Sequence, residues 1–223
     1  MIDWLSKIDE AIFLAINGAW PSGDTLMWWV SNPLTWIPLY VLIIASIWKV
    51  FKSSRSRILI FSGLVITVGL ADVISARVLK PTAARIRPSH RVDLVDEVSL
   101  YSQSDGTKYR GGEFGFVSSH AANHMAVAVF VGGLFIGTTG SAGVFWFWGL
   151  VIWALVIGYS RVHLGVHFPG DVVFGWLLGG IIGAVVLKIV RHRIGNIPYN
   201  STNNLLKKKN DTLDELTTNS KSQ

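Results

Sequence analysis

The side chains best suited to chemistry are concentrated in residues 159–171, between two long apolar segments. This stretch contains Arg161, His163, His167 and Asp171, and ionisable groups at the margin of a membrane span are costly enough to indicate a functional site. Because Asp171 begins the next apolar segment, we expect its carboxylate to lie within reach of the His167 ring. Such a carboxylate fixes the tautomer and leaves the other ring nitrogen basic. A pair of helix ends capped by polar residues is the alternative.

Cations suited to a phosphate occur in two places. The guanidinium of Arg161 forms a fork that matches the oxygens of a phosphate. Residues 80–88, at the end of an earlier apolar segment, add Lys80, Arg85 and Arg87. We predict that Lys80 and Arg87 bind a phosphate, whereas Arg85 only anchors the helix end at the membrane surface, as long cationic side chains often do.

A third polar cluster, Ser118, Ser119 and His120, leads directly into another apolar segment. Either serine is a natural N-cap, and the free backbone N–H groups at a helix start point at a bound anion. His120, at the same helix end, is suited to giving a proton to a leaving group. His124 follows one turn later on the same face, and we expect it to support the site or the core instead of acting as a catalyst.

The composition indicates a membrane protein with several spans. Half of the 223 residues are hydrophobic and only 15% are charged, which is too little charge for a soluble domain of this size. The chain contains no cysteine, which excludes disulfides and thiolate chemistry. Much of the net charge of +6 lies in basic clusters beside apolar segments and in the C-terminal tail. We therefore expect anionic membrane lipids, and no nucleic acid, as partners.

The apolar segments predict an all-α, polytopic membrane helix bundle with about five transmembrane helices. Residues 1–32 are predicted to form short N-terminal interfacial helices or, alternatively, one broken sixth span. A transmembrane core over residues 33–193 follows, with a polar loop at 80–118. Residues 194–223 are polar and predicted to be a disordered cytoplasmic tail. The predicted spans cover about residues 33–48, 58–79, 120–138, 144–159 and 171–188.

The distribution of basic residues predicts the orientation of the bundle. Residues 49–57 include a short basic loop, which the positive-inside rule assigns to the cytoplasm. Counting spans from there puts the 80–118 loop and residues 160–171 on the external, periplasmic face and the C-terminus in the cytoplasm. The 80–118 loop is itself basic, which is compatible with cations retained to bind a phosphate. The five-span core without cysteine suits a bacterial inner membrane.

The order and spacing of the three clusters resemble the signature motifs of the type 2 phosphatidic acid phosphatase (PAP2) family. The family pattern is Lys-x6-Arg-Pro, then Pro-Ser-Gly-His, then Ser-Arg-x5-His-x3-Asp, and the resemblance covers about residues 33–190. The first and third motifs match completely, whereas the second has Val117 in place of proline and Ser119 in place of glycine. The chain carries the motifs as Lys80…Arg87-Pro88, Ser118-Ser119-His120 and Ser160-Arg161…His167…Asp171.

The resemblance implies a metal-independent phosphohydrolase, without a cofactor, that acts on a lipid phosphate. It implies that His167 attacks phosphorus to form a phosphohistidine, that Asp171 orients His167, and that His120 protonates the leaving group and then activates water. The substrate candidates are phosphatidic acid, phosphatidylglycerophosphate, undecaprenyl diphosphate and lipid A phosphates, with a polyprenyl diphosphate or an envelope lipid favoured. The implied phosphate-binding residues are Lys80, Arg87, Arg161, Ser118 and Ser119.

A metal-dependent membrane hydrolase or transporter is the main alternative. The pairs His120/His124 and His163/His167 are each spaced by four residues, which can place two ligands on one helical face. Against this, the nearby cations would repel a metal ion, and Gly165 argues against a regular helix through the second pair. A catalytically inactive lipid-binding protein is disfavoured because every expected catalytic side chain is present. The sequence predicts no particular oligomeric state.

Overall fold

The computed structural model describes residues 2–195, and the predicted tail from residue 196 onward lies outside the described residues. Within the described part, five helical segments are long and apolar enough to cross a membrane. They confirm the predicted all-α bundle of about five spans. The segments are Pro33–Val50, Ser54–Ala83, Ser119–Thr139, Ser141–His163 and Pro169–Ile194.

Two short helices precede the first span. Helix α1 covers Ile2–Ile16 and helix α2 covers Asp24–Ser31, with a 3₁₀ turn at Pro21–Gly23 between them. With 15 and 8 residues, each is by itself too short to cross a bilayer. Helix α1 is amphipathic: Trp4 is exposed on one face, whereas Phe13 is fully buried on the other.

The first two spans are each assembled from more than one helical piece. Helix α3, Ile37–Val50, is preceded by a 3₁₀ turn at Pro33–Trp36. Helix α4, Ser54–Val73, continues through a π-helical segment at Ile74–Leu79 into the short helix α5, Lys80–Ala83. A π-helical segment has more residues per turn than an α-helix, so it changes the direction in which the side chains after it point. Such segments are frequent near functional sites. Lys80 therefore lies near the end of the second span, directly after the π-helical segment.

The last three spans form the centre of the bundle. They are α6, Ser119–Thr139, α7, Ser141–His163, and α8, Pro169–Ile194. Helix α6 packs along both α7 and α8 and also contacts α4. A Cβ atom at Gly179 of α8 would lie 2.1 Å from the carbonyl oxygen of Ala122 in α6, so the two backbones can meet only because glycine has no side chain.

The three polar clusters lie at one end of this bundle. Helices α6 and α8 start there, and helices α5 and α7 end there. The backbone N–H of Ser118 donates to the carbonyl oxygen of Asp171 at 2.9 Å, which joins the starts of α6 and α8. The basic loop between α3 and α4 and the C-terminal end of α8 lie at the opposite end. The close packing of α6 on α8 thus brings residues that are far apart in the sequence to one place.

Candidate active site

His167 and Asp171 form the centre of the site. Helix α7 ends at His163 and α8 begins at Pro169, so His167 lies in the connecting loop and Asp171 lies in the first turn of α8. His167 Nδ1 lies 3.4 Å from Asp171 Oδ2, and neither side chain is more than 1% exposed. A carboxylate only accepts hydrogen bonds, so Nδ1 carries the proton and Nε2 presents a lone pair.

The environment of His167 keeps its ring neutral. Burial lowers the pKa of His167 well below its ordinary value, and the positive charges of Arg87, Arg161 and Lys80 lower it further. The neutral imidazole is the form that acts as a nucleophile. Burial and the neighbouring cations therefore both favour the neutral form of the His167 ring.

Arg87 is a buried cation held by the loop between α5 and α6. Its Nε donates to the carbonyl oxygen of Phe114 at 3.0 Å, and its Nη1 donates to that of Val166 at 3.4 Å. Burial and the charge of Arg161 lower the pKa of Arg87 to about 10, which still leaves it positive at neutral pH. Gly111 has a positive φ of 68°, and a Cβ there would lie 2.6 Å from Nη1. The loop backbone can therefore approach the Arg87 guanidinium this closely only because residue 111 is glycine.

Arg161 is a second buried cation, in the last turn of α7, and is only 2% exposed. Its Nη2 donates to the hydroxyl of Tyr109 at 2.7 Å, and its Nη1 donates to the hydroxyl of Ser31. Its Nε is buried and has no hydrogen-bond partner among residues 2–195. A buried donor without a partner is costly, so the Nε–H of Arg161 indicates a position where an anion binds.

Lys80 connects the first polar cluster to the second. Its Nζ donates to the Ser119 hydroxyl at 2.9 Å, and the Ser75 hydroxyl donates to the same oxygen at 2.9 Å. Because Ser119 is the first residue of α6, these contacts hold the end of the second span against the start of the third. Ser119, which replaces the glycine of the family motif, therefore has hydrogen-bond partners in Lys80 and Ser75.

Ser118 is the N-cap of α6, as predicted, and its hydroxyl accepts from the N–H of Ala121 at 3.5 Å. Its own N–H, however, donates to the carbonyl oxygen of Asp171. This amide is engaged inside the protein and does not supply the predicted phosphate contact. The N–H groups of Ser119 and His120 lie in the first turn, where helix geometry offers them no acceptor, so they are available to donate to an anion.

The two histidines of α6 differ in their surroundings. His120 is half-buried, and Arg161 and His167 are among the charged and titratable groups nearest to it. His124 Nδ1 lies 2.7 Å from the carbonyl oxygen of His120, and its ring packs edge-on against Trp153 with centroids 4.8 Å apart. His120 therefore belongs to the cluster, whereas His124 is held by the helix and by an aromatic side chain behind it.

Arg85 does not anchor the helix end at the membrane surface, so the prediction for this residue is wrong. Its Nη1 donates to Asp171 Oδ1 at 2.8 Å, and its Nη2 donates to Asp9 Oδ2 at 2.6 Å. The guanidinium also lies 4.3 Å from the centroid of the Phe168 ring. Asp171 is fully buried, and a buried carboxylate needs a charged or hydrogen-bonding partner. Arg85 is that partner.

The second histidine pair does not converge on a common ligand position. His163 Nε2 lies 2.9 Å from Asp24 Oδ1 in α2, whereas His167 lies against Asp171. Helix α7 ends at His163, so the two histidines are not on one helical face. Among residues 2–195, no group of three or more His, Cys, Asp or Glu side chains is arranged to hold a metal ion. This geometry gives the metal-dependent alternative no ligand set.

Three cavities border the cluster. The one lined by Lys80 and Arg87, among others, has a volume of about 320 Å³, and the other two lie beside α6. One of these two, of about 230 Å³, is lined by His120, Arg161 and Tyr109 among others. The second, of about 360 Å³, is mainly apolar and lies between α3, α4, α6 and α7, beside His124. Pro33 lines both cavities. The two cavities are therefore neighbours, one lined by polar side chains of the cluster and the other mainly apolar.

Asp9, Ser31 and Tyr109 are residues of the site that the sequence does not reveal. They come from α1, the end of α2 and the loop between α5 and α6, and each contacts an arginine of the site. An acidic residue in an amphipathic helix ordinarily faces water, and Tyr109 stands in a polar segment without periodicity. No local signal distinguishes these three from their neighbours, because packing alone brings them to Arg85 and Arg161.

Comparisons with known proteins agree with this arrangement. The sequence pattern of the PAP2 superfamily matches residues 57–194. The chain is 31% identical to the lipid A 4'-phosphatase of Porphyromonas gingivalis over 194 residues, 84% of this chain and 75% of that protein. It is also 31% identical to the lipid A 4'-phosphatase of Bacteroides thetaiotaomicron over 195 residues, 87% of this chain and 81% of that protein.

A solved structure extends the similarity to three dimensions. The first transmembrane PAP2 type phosphatidylglycerolphosphate phosphatase from Bacillus subtilis shares the fold with a TM-score of 0.65 at 24% identity, over 86% of this chain and 89% of that one. The family match of residues 57–194 covers more than half of the chain and includes all three polar clusters. The chain therefore belongs to the PAP2 superfamily and is a multi-pass membrane phosphatase.

Proposed function

We propose that this protein removes a phosphate group from a membrane lipid through a phosphohistidine formed on His167. The observation that carries the proposal is the buried pair of His167 and Asp171. Asp171 holds Nδ1, which leaves Nε2 as the nucleophile, and Arg87, Arg161 and Lys80 lie close enough to act on the ring electrostatically. Phosphoryl transfer requires this combination of a positioned nucleophile and neutralised phosphate charge.

The reaction proceeds in two balanced steps. In the first, Nε2 of His167 attacks phosphorus, the bond between phosphorus and the lipid oxygen breaks, and protonated His120 gives its proton to that oxygen. In the second, His120 takes a proton from a water molecule as the water oxygen attacks phosphorus and the P–N bond breaks. Inorganic phosphate leaves, and both histidines return to their initial states. Arg161 Nε and the first-turn amides of α6 hold the phosphoryl oxygens throughout.

A phosphate of the lipid A type is the substrate that we favour. The two relatives compared above are named lipid A 4'-phosphatases, and the alignments cover most of each chain. An envelope lipid is also one of the two classes that the sequence favours. Undecaprenyl diphosphate, the polyprenyl candidate, is the second choice.

The apolar cavity suits the hydrocarbon part of such a lipid. It is lined by side chains of α3, α4, α6 and α7 and lies one helical turn beyond His120, next to His124. Burying a hydrocarbon chain gains roughly 0.8 kcal/mol for each methylene group, so a cavity of this kind contributes to affinity for long-chain substrates. The phosphate then lies at the end of the bundle, among the cations.

Phosphate release from a panel of purified lipids in detergent tests this function. The panel contains lipid A, undecaprenyl diphosphate, phosphatidylglycerophosphate and phosphatidic acid. We expect the largest kcat/KM for lipid A and no loss of activity in excess EDTA, because protein cations neutralise the phosphate. Better turnover of undecaprenyl diphosphate would change the substrate assignment alone. Loss of activity in EDTA that a divalent metal restores would contradict the mechanism.

Filling the apolar cavity should selectively lower kcat/KM for long-chain substrates. Val68→Trp puts a large side chain into the cavity. We expect the ratio of kcat/KM for a long-chain to that for a short-chain phosphate to fall about 10-fold, equivalent to the loss of about two buried methylene groups. Val65→Trp is the matched control, because Val65 lies on the same helix but is 72% exposed on its outer surface. Equal ratios in both variants would show that the lipid chain lies elsewhere.

We also infer that the site opens to the periplasmic face of a bacterial inner membrane. The polar clusters lie at one end of the bundle, and the basic loop between α3 and α4 lies at the other. The positive-inside rule favours the cytoplasm for that loop. Accessibility labelling of a single cysteine introduced at Gly106, an exposed position in the loop between α5 and α6, tests this placement in cells. Labelling by a membrane-impermeant reagent is expected.

A further inference from the structure

The carboxylate of Asp171 is held from both of its oxygens. Oδ2 lies 3.4 Å from His167 Nδ1 and accepts from the N–H of Phe168 at 3.1 Å. Oδ1 accepts from Arg85 Nη1 at 2.8 Å. Arg85 therefore binds the carboxylate oxygen that does not face His167.

Arg85 is held in turn by Asp9 of helix α1. Its Nη2 donates to Asp9 Oδ2 at 2.6 Å, and Asp9 Oδ1 accepts from the backbone N–H of Gly170 at 2.7 Å. One guanidinium thus bridges two carboxylates, and both carboxylates also bind N–H groups at the start of α8. Because two carboxylates already balance its positive charge, Arg85 is less suited than Arg87 or Arg161 to neutralise a phosphate.

Glycine residues allow the backbone to lie close to the carboxylates of Asp9 and Asp171. A Cβ at Gly170 would lie 2.8 Å from Asp9 Oδ2, and a Cβ at Gly115 would lie 2.6 Å from Asp171 Oδ2. Side chains at either position would displace an oxygen that takes part in the network. Phe13 of α1 packs edge-on against Phe168 with ring centroids 5.3 Å apart, so α1 rests on the loop that carries His167.

We propose that Asp9 and Arg85 are positioning residues for the catalytic pair, and that α1 is thereby part of the active site. The proposal rests on the proposed role of His167 as the nucleophile. Asp9 orients Arg85, Arg85 holds Oδ1 of Asp171, and Oδ2 is kept toward His167 Nδ1. Without the contact from Arg85, the Asp171 carboxylate rotates away from His167 Nδ1. Nε2 of His167 then loses its alignment with phosphorus. Misplacement of about 1 Å at a reacting group can cost a hundredfold in rate.

Asp9→Asn tests this link, because the amide keeps the shape of the side chain but turns one acceptor into a donor facing Arg85 or the Gly170 N–H. We expect kcat for phosphate release from the preferred lipid to fall about 10-fold. We expect KM and the inhibition constant of inorganic phosphate to change by less than about twofold, because the phosphate-binding cations are untouched. Arg85→Lys, which keeps the charge but not the fork, should lose less activity than Arg85→Gln.

Glu10→Gln is the matched control. Glu10 is the next residue of α1, but its carboxylate pairs with Arg91 at 3.2 Å, away from Asp171. We expect wild-type kcat for this variant. A kcat of Asp9→Asn equal to that of Glu10→Gln would overturn the proposal. So would a rise in the phosphate inhibition constant in proportion to the loss of kcat, since that pattern indicates a general structural defect.

Two further measurements keep the outcome decisive. If Asp9→Asn does not accumulate in the membrane, Arg85→Gln tests the same link, and a wild-type kcat for it would overturn the proposal. The variant His167→Ala separates this inference from the proposed function. Activity retained in His167→Ala removes the basis of both, whereas an inactive His167→Ala with a normal Asp9→Asn removes only the positioning role of α1.

Discussion

Turnover is expected to fall by about 10⁴-fold or more in His167→Ala, while the protein remains folded in the membrane. The substitution removes the only nitrogen that receives the phosphoryl group in the proposed mechanism. Asp171 keeps its hydrogen bonds from Arg85 and Phe168, so the buried carboxylate is not left unpaired. Phosphate release and the retention of a folded, membrane-extracted protein are the measurements.

Trapping of the intermediate adds a direct readout. Wild-type protein quenched in alkali during turnover of a radiolabelled lipid phosphate should carry label, because phosphohistidine is stable in base, and His167→Ala should carry none. His192→Ala is the control, since His192 is exposed near the C-terminal end of α8, far from the cluster. Near-normal turnover or undiminished labelling in His167→Ala would show that another residue is the nucleophile.

His120→Ala is expected to lose about 10²- to 10⁴-fold in turnover of a lipid phosphate, the range ordinarily supplied by a general acid–base group. The lipid alkoxide is a poor leaving group, so the first step needs the proton that His120 gives. The second step needs His120 again to activate water. Both steps therefore slow in the variant, while the phosphate-binding cations remain in place.

A substrate with a good leaving group separates the two steps. The p-nitrophenolate ion leaves without protonation, so His120→Ala should release about one equivalent of it rapidly from p-nitrophenyl phosphate and then turn over slowly. The slow phase reports hydrolysis of the phosphohistidine. Equal losses for the lipid and for p-nitrophenyl phosphate, with no rapid phase, would contradict the assignment of His120 as the acid in the first step.

Features that depend on neighbours in the chain are predictable from this sequence, whereas contacts between distant residues are not. The membrane spans can be recognised in the sequence because about 20 apolar residues are needed to cross a bilayer. Few other structures contain apolar segments of that length. The position of His167 in a loop four residues before Asp171 is also local, since Gly165 and Pro169 interrupt the helix between α7 and α8. Their contact follows from chain geometry over a few residues.

Arg85 illustrates what local reasoning misses. In the sequence it is one of three cations at a helix end, and nothing nearby distinguishes it from an anchoring residue. In the structure it lies against Asp171, 86 residues away, and against Asp9, 76 residues away. Which of the two neighbouring arginines, Arg85 or Arg87, meets the Asp171 carboxylate depends on the path of the loop and on the docking of α1.

The sequence by itself determined the membrane-spanning architecture and the contact between His167 and Asp171, because hydrophobic length and a four-residue spacing act over short distances. Only the tertiary structure decided that Ser118 gives its amide to Asp171, that Arg161 is bound by Ser31 and Tyr109, and that Asp9 reaches the active site. These contacts depend on how closely α6 packs against α8 and on where α1 docks, and that packing is a property of the assembled bundle.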